Sequence, residues 1–423
     1  MDLLKNIFKG DKVIWIIFLC LCLISIIEVF SAASTLTYKS GDHWGPITQH
    51  SIILMVGAVV VVFLHNVPYK WFQVFPVFLY PISLVLLAFV TLMGIITGDR
   101  VNGAARWMTF MGLQFQPSEL AKMAVIIAVS FILSKRQDEE GANPKAFKYI
   151  MILTGLVLIL IAPENLSTAM LLFGVVFMMM FIGRVAAKKL LLLAGGLILI
   201  GALGVGTVVA IPAKTLHSTP GLHRLETWQN RIKGFFDKDE VPAAKFDIDK
   251  DAQIAHARIA IATSHVVGKG PGNSIQRDFL SQAFSDFIFA IVVEEMGLIG
   301  GIFVVFLYLW LLMRAGRIAQ KCERTFPAFL VMGIALLLVS QAILNMMVAV
   351  GLFPVTGQPL PLVSKGGTST LINCAYIGMI LSVSRYTAHL EEQKEHDAQL
   401  QLQIETNAAD SEAQAAAEPT AQI

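Results

Sequence analysis

Apolar runs of about twenty residues follow one another along almost the whole chain, separated by short polar joints. A helix that crosses the hydrocarbon core of a bilayer needs about 20 such residues. Of the 423 residues, 56% are hydrophobic and 15% are charged, whereas soluble domains carry roughly a quarter charged residues. The sequence therefore predicts an all-α protein that passes through a membrane many times.

The breaks between the runs predict about ten transmembrane helices. They are expected at residues 13-34, 48-66, 72-96, 117-134, 147-162, 167-183, 189-212, 286-313, 326-352 and 367-384. The predicted membrane domain covers residues 13-386 and follows a short N-terminal segment, 1-12. The tail, 387-423, is rich in Ala, Gln and Glu and has few large apolar residues. Since such a segment cannot bury a core, we predict that it is disordered.

Lysine and arginine are concentrated in alternate joints, which predicts the orientation of the chain. Short joints that carry these residues stay on the cytoplasmic side. The residues are Lys5, Lys9, Lys12, Lys70, Lys135, Arg136, Lys145, Lys148, Arg184, Lys188, Lys189, Arg314, Arg317, Lys321 and Arg324. Both termini are therefore predicted to be cytoplasmic, and the long loop 213-285 extracytoplasmic. Amphipathic stretches within that loop predict helices on the outer membrane surface.

Composition also excludes several classes of protein. The formal net charge is +2, and the basic residues form no stripe, so nucleic acid is not a predicted partner. The four cysteines are Cys20, Cys22, Cys322 and Cys374. They lack CxxC spacing, so the sequence predicts neither a metal site nor a disulfide framework.

Three carboxylates stand at the start of the eighth predicted span. Charged groups at such positions are costly in lipid and are candidates for function. Asp286 follows Ser285, a good N-cap, at the outer face, although it could simply complement the helix dipole. On a straight helix rising about 1.5 Å per residue, Glu294 and Glu295 lie about 12 to 14 Å deeper. We expect these two near mid-membrane, as structural, helix-packing or partner-coupling groups.

Two further stretches on the outer side carry charge. In QPSELAKM, Pro117 fits a helix start, and Glu119 and Lys122 lie on one helix face. They are either ligand contacts or a pair that neutralises itself near the interface. In NGAARWMTF, Arg106 beside Trp107 is either an anion contact or an interfacial anchor.

The stretch PVTGQPLPLVSKGGTST leads into the last predicted span. A glycine pair at a helix start exposes backbone N–H groups and favours an anion. The candidate residues here are Ser364, Lys365, Gly366 and Gly367. A short turn, APENLSTA, falls on the same side. Because all these stretches share one side of the membrane, we predict an outward-facing polar cavity between helices.

Six motifs occur in a fixed order along the chain: GAARW, QPSELAK, NLSTA, GKGPGNSIQ, SDFIFAIVVEEMGLIG and PVTGQPLPLVSKGGTS. From residue 13 to about 386 the chain resembles the SEDS family (shape, elongation, division and sporulation), the polytopic peptidoglycan polymerases FtsW and RodA. The long tail and the general pattern favour a member that acts in cell division over one that acts in elongation.

The resemblance implies glycosyl transfer on the outer face of the bacterial cytoplasmic membrane, at the division site. The disaccharide units of lipid II would be joined and undecaprenyl diphosphate released. The family's catalytic aspartate matches Asp286, which would act as general base. Arg106 and Lys122 would stabilise the leaving diphosphate, with Glu119 orienting Lys122. Ser364, Lys365, Gly366 and Gly367 would complete the substrate site.

The chain departs from the family pattern in three places. Gln282 and Phe284 stand where relatives have Glu and His, so neither of those groups is required if activity is retained. The turn that usually carries an Asp has Glu164 and Asn165. Lys365 replaces a common Tyr and adds a cation near the glycine pair.

The implied partners are a class B penicillin-binding protein, which is a transpeptidase, and other membrane proteins of the division machinery. The residues call for no cofactor of the chain's own. They leave open a divalent cation, Mg²⁺ or Mn²⁺, that accompanies the substrate diphosphate. Two alternatives to polymerisation are a flippase or transporter for lipid II, suited by the intramembrane glutamates, and a division scaffold without chemistry.

Overall fold

A computed structural model describes residues 9–32, 45–96, 108–110, 113–138, 141–211, 229, 251–280 and 284–417. The helices are α1 (Lys12–Ala32), α2 (Gly45–Asn66), the single turn α3 (Tyr69–Phe72), α4 (Phe75–Ile96), α5 (Pro117–Lys135), α6 (Pro144–Ile161), α7 (Leu166–Ile182), α8 (Ala187–Ala210), α9 (Asp251–Ala262), α10 (Ile288–Lys321), α11 (Thr325–Ala349) and α12 (Thr368–Ala417). Two small antiparallel ribbons accompany them, β1 (Met108–Phe110) with β2 (Leu113–Phe115) and β3 (Gln137–Asp138) with β4 (Gly141–Ala142).

Each of the ten predicted spans coincides with a helix. Within the described residues, eight helical segments are long and apolar enough to cross a membrane. The remaining two predicted spans are α7, a shorter apolar helix, and the first part of α12. The multi-pass helical architecture is confirmed. Helix α9 also confirms a helix in the amphipathic stretch DAQIAHARIAIATSHVVG of the long loop, whereas the other predicted stretch, LHRLETWQNRIKGFF, lies outside the described residues apart from residue 229.

The basic joints meet at one end of the helix bundle. Arg314 Nε donates to Asp11 Oδ2 at 2.5 Å, which joins the end of α10 to the start of α1. The hydroxyls of Ser134 and Thr325 are 2.7 Å apart, which joins the end of α5 to the start of α11. The joints that carry the basic residues thus lie at the same end of the bundle, as their alternation predicted. The assignment of this end to the cytoplasm stays a prediction.

The tail differs from the predicted disorder. Helix α12 continues without a break through Ala417, and residues 418-423 lie outside the described part. Alanine, glutamine and glutamate are strong helix formers, so the same composition that prevents a core favours a solvated helix. Lys321 and Glu391 form an exposed ion pair at 2.7 Å between α10 and the first turns of this extension.

Helix α10 is interrupted at Gly297, where φ is 73° and ψ is −176°. A segment of the long loop lies against the interruption and supplies hydrogen-bond partners. The N–H of Leu298 donates to the carbonyl of His265 at 3.1 Å, and the N–H of Gly270 donates to the carbonyl of Glu295 at 2.8 Å. Breaks of this kind persist in membrane helices where other parts of the protein satisfy the freed backbone groups.

The distance between Glu295 and Arg314 corrects the predicted depth of Glu294 and Glu295 in the membrane. Glu295 and Arg314 are separated by about 28 Å along α10, at about 1.5 Å per residue, and a bilayer core is about 30 Å thick. Since Arg314 lies at the basic end of the bundle, the two glutamates lie near the opposite end of the span. This distance argues against the predicted mid-membrane position: the predicted span 286-313 would be about 42 Å long at about 1.5 Å per residue, so its first residues extend beyond a core of about 30 Å.

Replacing Gly297 should destabilise the protein. A Cβ at this position would lie 2.3 Å from the carbonyl oxygen of Val266, and the positive φ strains any L side chain. We expect Gly297→Ala to cost about 1 to 3 kcal/mol, measured by thermal unfolding in detergent micelles. Gly316→Ala in the same helix is the matched control, since a Cβ there meets no heavy atom within 4 Å. Equal melting temperatures for Gly297→Ala and the wild type would contradict this account of the break.

Candidate functional site

Polar side chains from distant parts of the chain meet at the end of the bundle opposite the basic joints. Gln358 Nε2 donates to Thr168 Oγ1 at 2.6 Å, which fastens the loop after α11 to α7. Asn345 Nδ2 donates to the backbone carbonyls of Asp286, at 2.9 Å, and of Gln358, at 2.8 Å. The turn APENLSTA, the start of α10 and the loop after α11 therefore lie together. This agrees with the prediction that all three lie on the same side of the membrane.

Asp286 lies in a turn two residues before α10, half-buried. The predicted N-cap is wrong: α10 begins at Ile288, so Phe287 is its N-cap residue and makes no side-chain cap hydrogen bond, while Ser285 Oγ donates to Asp286 Oδ1 at 3.0 Å. The backbone of this turn is held on one side by Asn345 and on the other by Ser364, whose Oγ donates to the Ser285 carbonyl at 2.6 Å. The carboxylate is therefore carried by a fixed backbone.

Lys365 lies against the same turn. Its N–H donates to the carbonyl of Phe284 at 2.9 Å, and its Nζ lies 5.8 Å from the centroid of the Phe284 ring. Half-burial lowers the pKa of the Lys365 ammonium below its ordinary value. The contacts bring segment 284–286, which carries the carboxylate, next to segment 364–365, which carries the cation.

The glycine pair occupies the predicted place immediately before α12. Gly367 has a φ of 53°, in the left-handed region that favours glycine. Ser364 is buried, and its hydroxyl also accepts from the N–H of Leu360 at 2.8 Å, so in this structure it holds the loop. A direct contact of Ser364, Gly366 or Gly367 with a substrate stays a prediction.

Glu119 and Lys122 form a buried ion pair. Lys122 Nζ lies 2.7 Å from Glu119 Oε1, and neither side chain is more than 2% exposed. The same ammonium donates to Gln341 Oε1 at 2.9 Å, and Gln341 in turn donates to the Pro359 carbonyl at 3.0 Å. The geometry is that of the self-neutralising alternative, and a role of either residue in substrate binding stays a prediction. Arg106 lies outside the described residues.

Glu294 is fully buried and binds the motif GKGPGNSIQ. Its carboxylate accepts from Lys269 Nζ at 2.6 Å, from the N–H groups of Ile275 at 3.2 Å and Gln276 at 3.3 Å, and from the Ser274 hydroxyl. One carboxylate thus receives a side-chain cation and part of the loop backbone.

Glu295 binds the same motif from the other side of the helix. It accepts from the N–H groups of Gly272 at 2.9 Å and Ser274 at 3.2 Å, and from the hydroxyl of Ser31 on α1. Arg277 Nη1 lies 3.9 Å from its Oε1 and donates to Ser31 Oγ at 2.8 Å. These contacts give both glutamates a structural role within the chain, and a role in coupling to a partner stays a prediction.

The sequence analysis missed several polar residues near this site. Gln341 and Asn345 are four residues apart in an otherwise apolar helix, a spacing that marks one polar face. Glu28 is a lone carboxylate in the first apolar run; it is fully buried, and neither oxygen is hydrogen-bonded within the described part of the chain. On the neighbouring helix, His50 Nε2 lies 2.8 Å from Ser25 Oγ.

The described residues contain no group of three or more His, Cys, Asp or Glu side chains that could hold a metal ion. This end of the bundle therefore offers a carboxylate, a half-buried cation and backbone donors, but within those residues no built metal site. Such an arrangement can move a proton and stabilise an anion.

The family model for FtsW, RodA and SpoVE, described as a cell cycle protein, matches residues 11–389. The chain belongs to this family. A protein of Trichlorobacter lovleyi named "Probable peptidoglycan glycosyltransferase FtsW" is 32% identical over 390 residues, which cover 91% of this chain and 96% of that protein. A protein of Halomonas elongata with the same name is 30% identical over 373 residues, covering 86% and 88%.

Two solved structures share the fold. A chain from "Structural coordination of polymerization and crosslinking by a peptidoglycan synthase complex" aligns with a TM-score of 0.68 at 24% identity, covering 90% of this chain and 99% of that one. The rod shape determining protein RodA of Thermus thermophilus aligns with a TM-score of 0.61 at 24% identity, covering 90% and 98%. The chain is a polytopic membrane protein of this fold.

Separating the Glu119–Lys122 pair should be far more damaging than removing it whole. Lys122→Met leaves a buried carboxylate and Glu119→Gln leaves a buried ammonium, each costing about 3 to 5 kcal/mol. The double variant should lose less than the sum of the two, as measured by chemical unfolding in micelles. Lys321→Met, which removes an exposed pair with Glu391, should change little. If the stability losses of the two single variants simply add in the double variant, Glu119 and Lys122 do not stabilise each other as a pair.

Proposed function

We propose that the protein is a peptidoglycan glycosyltransferase that polymerises lipid II on the outer face of the bacterial cytoplasmic membrane and releases undecaprenyl diphosphate. Family membership supports the proposal, as does the name of relatives at about 30% identity. The observation that carries it is the contact between segment 284–286 and segment 364–365. This contact brings the segment that carries the Asp286 carboxylate next to the segment that carries the Lys365 ammonium. The reaction needs one group of each charge.

In the proposed reaction, the 4-hydroxyl oxygen of the acceptor sugar forms a bond to the anomeric carbon of the donor. The bond from that carbon to the diphosphate breaks, and the diphosphate leaves with the electron pair. The hydroxyl proton passes to the carboxylate of Asp286. Ser285 and Asn345 hold the turn that carries this carboxylate, so little reorientation is needed when the hydroxyl arrives.

The departing diphosphate is proposed to lie against Lys365 and the N–H groups at the glycine pair. The half-buried position of Lys365 supports this role, since a charge interacts more strongly where water is partly excluded. Arg106 is proposed as a further cation for the diphosphate. Lys122 and Glu119 are proposed to act on this site through Gln341, which holds the same loop at Pro359.

The proposal includes the cellular setting. We place the termini in the cytoplasm and the protein at the division site of the inner membrane, where it works with a class B penicillin-binding protein and other division proteins. The name FtsW of its relatives and the resemblance to a chain of a peptidoglycan synthase complex support this. In this proposal, any divalent cation that assists the reaction, Mg²⁺ or Mn²⁺, arrives with the substrate diphosphate.

Asp286→Asn should abolish polymerisation without unfolding the protein. Amide and carboxyl have nearly the same shape, but the amide cannot take the proton, so we expect a loss of about 10² to 10⁴ in rate. The purified protein, its penicillin-binding partner and lipid II are incubated in detergent, and glycan strands are resolved on gels. Asp278→Asn, in the same part of the chain with a side chain 57% exposed, is the control.

Two results would count against the proposal in different ways. If Asp286→Asn makes as many strands as the wild type, Asp286 is not the general base. If neither protein makes strands, and lipid II crosses vesicle membranes in the presence of the wild type, the protein is a flippase and not a polymerase.

The alkaline limb of the activity profile should report Lys365. The ammonium stabilises the leaving diphosphate only while protonated, and its pKa is lowered. We therefore expect kcat/KM to fall with rising pH below the ordinary lysine pKa of about 10.4. Lys365→Arg, which keeps its charge, should move this limb to higher pH. Lys188→Arg, an exposed position on α8, should leave it unchanged. If the alkaline limb of Lys365→Arg lies at the same pH as that of the wild type, titration of Lys365 does not cause it.

A further inference from the structure

A cavity of about 370 Å³ lies at the basic end of the bundle, far from Asp286. It is enclosed by the end of α2, by α3 and by α12 near Arg385. Gly367, beside the candidate site, and Arg385 are separated by about 27 Å along α12, at about 1.5 Å per residue. The polar residues that matter here are His65, Tyr69, Lys70, Arg385, Tyr386 and His389.

The lining of this cavity is cationic. Lys70 and Arg385 contribute two formal positive charges, and no carboxylate lines the cavity. Arg385 Nη1 donates to the amide oxygen of Asn66 at 2.8 Å, a neutral partner. Neither cation forms an ion pair with a carboxylate in the part of the chain that the structure describes. Cations gathered around low-dielectric walls attract an anion.

Two buried polar groups at this cavity lack well-formed hydrogen bonds. His65 is 1% exposed and lies in contact with the Leu381 backbone, but neither ring nitrogen makes a hydrogen bond of standard geometry among the described residues. The buried Tyr69 hydroxyl likewise lies near the Tyr386 side chain, with ring centroids 4.5 Å apart, without a hydrogen bond of standard geometry there. Buried groups of this kind normally have a partner, and both can donate to an acceptor in the cavity.

Exposed apolar side chains lie on α2 and α3, which line the cavity, and on α4, which follows α3. Phe63 on α2, Trp71 on α3 and Phe78 on α4 are all strongly exposed. In a membrane protein such surfaces face the lipid chains, and aromatic residues concentrate at the level of the headgroups. A ligand that combines a phosphate with acyl chains would use both the cavity and this surface, whereas inorganic phosphate would use the cavity alone.

We propose that this cavity binds the phosphate of an anionic phospholipid whose acyl chains lie along the exposed faces of α2 and α4. Lys70 and Arg385 supply the charge, and His65 and Tyr69 supply neutral donors. Basic pockets between helices on the cytoplasmic side are a recurrent form of lipid headgroup site. The bound lipid connects α3 with α12.

The test is a binding titration on the full-length protein in detergent, read by native mass spectrometry and by tryptophan fluorescence. The probes are phosphatidylglycerol, phosphatidylcholine of the same chain length and inorganic phosphate. We expect phosphatidylglycerol to bind most tightly. Lys70→Gln and Arg385→Gln should each weaken it roughly fivefold, as expected for one surface charge near an anionic lipid.

Lys148→Gln is the matched control, since it removes one exposed charge at the same end of the bundle, away from the cavity. Arg385→Lys should retain most of the affinity. Because Lys70 is exposed, Lys70→Gln decides the question even if Arg385→Gln fails to fold. Unchanged phosphatidylglycerol affinity in Lys70→Gln would overturn the proposal. Inorganic phosphate that binds as tightly as the lipid, with the same losses in the variants, would overturn the assignment to a lipid.

Discussion

A helix that breaks inside a membrane protein must have its freed backbone groups bound by other parts of the chain, because lipid offers no hydrogen bonds. At Gly297 the loop 265–277 meets this requirement, and Glu294 and Glu295 bind that loop in return. These mutual hydrogen bonds also affect the direction of the helix. The short piece of α10 before the break is directed independently of the long piece after it, and Asp286 lies in the turn two residues before the short piece. The position of the candidate base therefore depends on carboxylates that take no part in the proposed chemistry.

The same constraint explains the buried polar network around the site. Gln341 and Asn345 would be costly on a lipid-facing helix, but in α11 they hold the loop that carries Lys365. The residues joined in this way are far apart in sequence: Ser285 and Ser364 differ by 79 positions, and Thr168 and Gln358 by 190. Each hydrogen bond satisfies a buried polar group and at the same time holds one wall of the site in position. Stability and preorganisation thus come from the same contacts.

The sequence predicted the helices well because the bilayer imposes a local rule, about twenty apolar residues in succession. Pro117 marks the start of α5 as predicted, since its requirements are local as well. The break at Gly297 was not predictable in this way, because it depends on His265 and its neighbours, which lie about thirty positions earlier. The predicted span 286-313 was longer than a bilayer core is thick, and it placed Glu294 and Glu295 deeper than their distance from Arg314 allows. The alternation of basic joints put Asp286 and Lys365 on one side, but only tertiary packing brings their segments into contact.

Two departures from the family pattern are explained by one contact. The family pattern noted in the sequence leads us to expect His at position 284 and often Tyr at position 365; in this chain the Lys365 ammonium lies 5.8 Å from the centre of the Phe284 ring. A histidine at position 284 would place a second titratable cation beside Lys365. Phenylalanine instead presents the negative face of its ring, which holds the ammonium without neutralising it. The two substitutions are therefore complementary: the aromatic ring fixes the position of the cation, and its full charge stays available to a diphosphate.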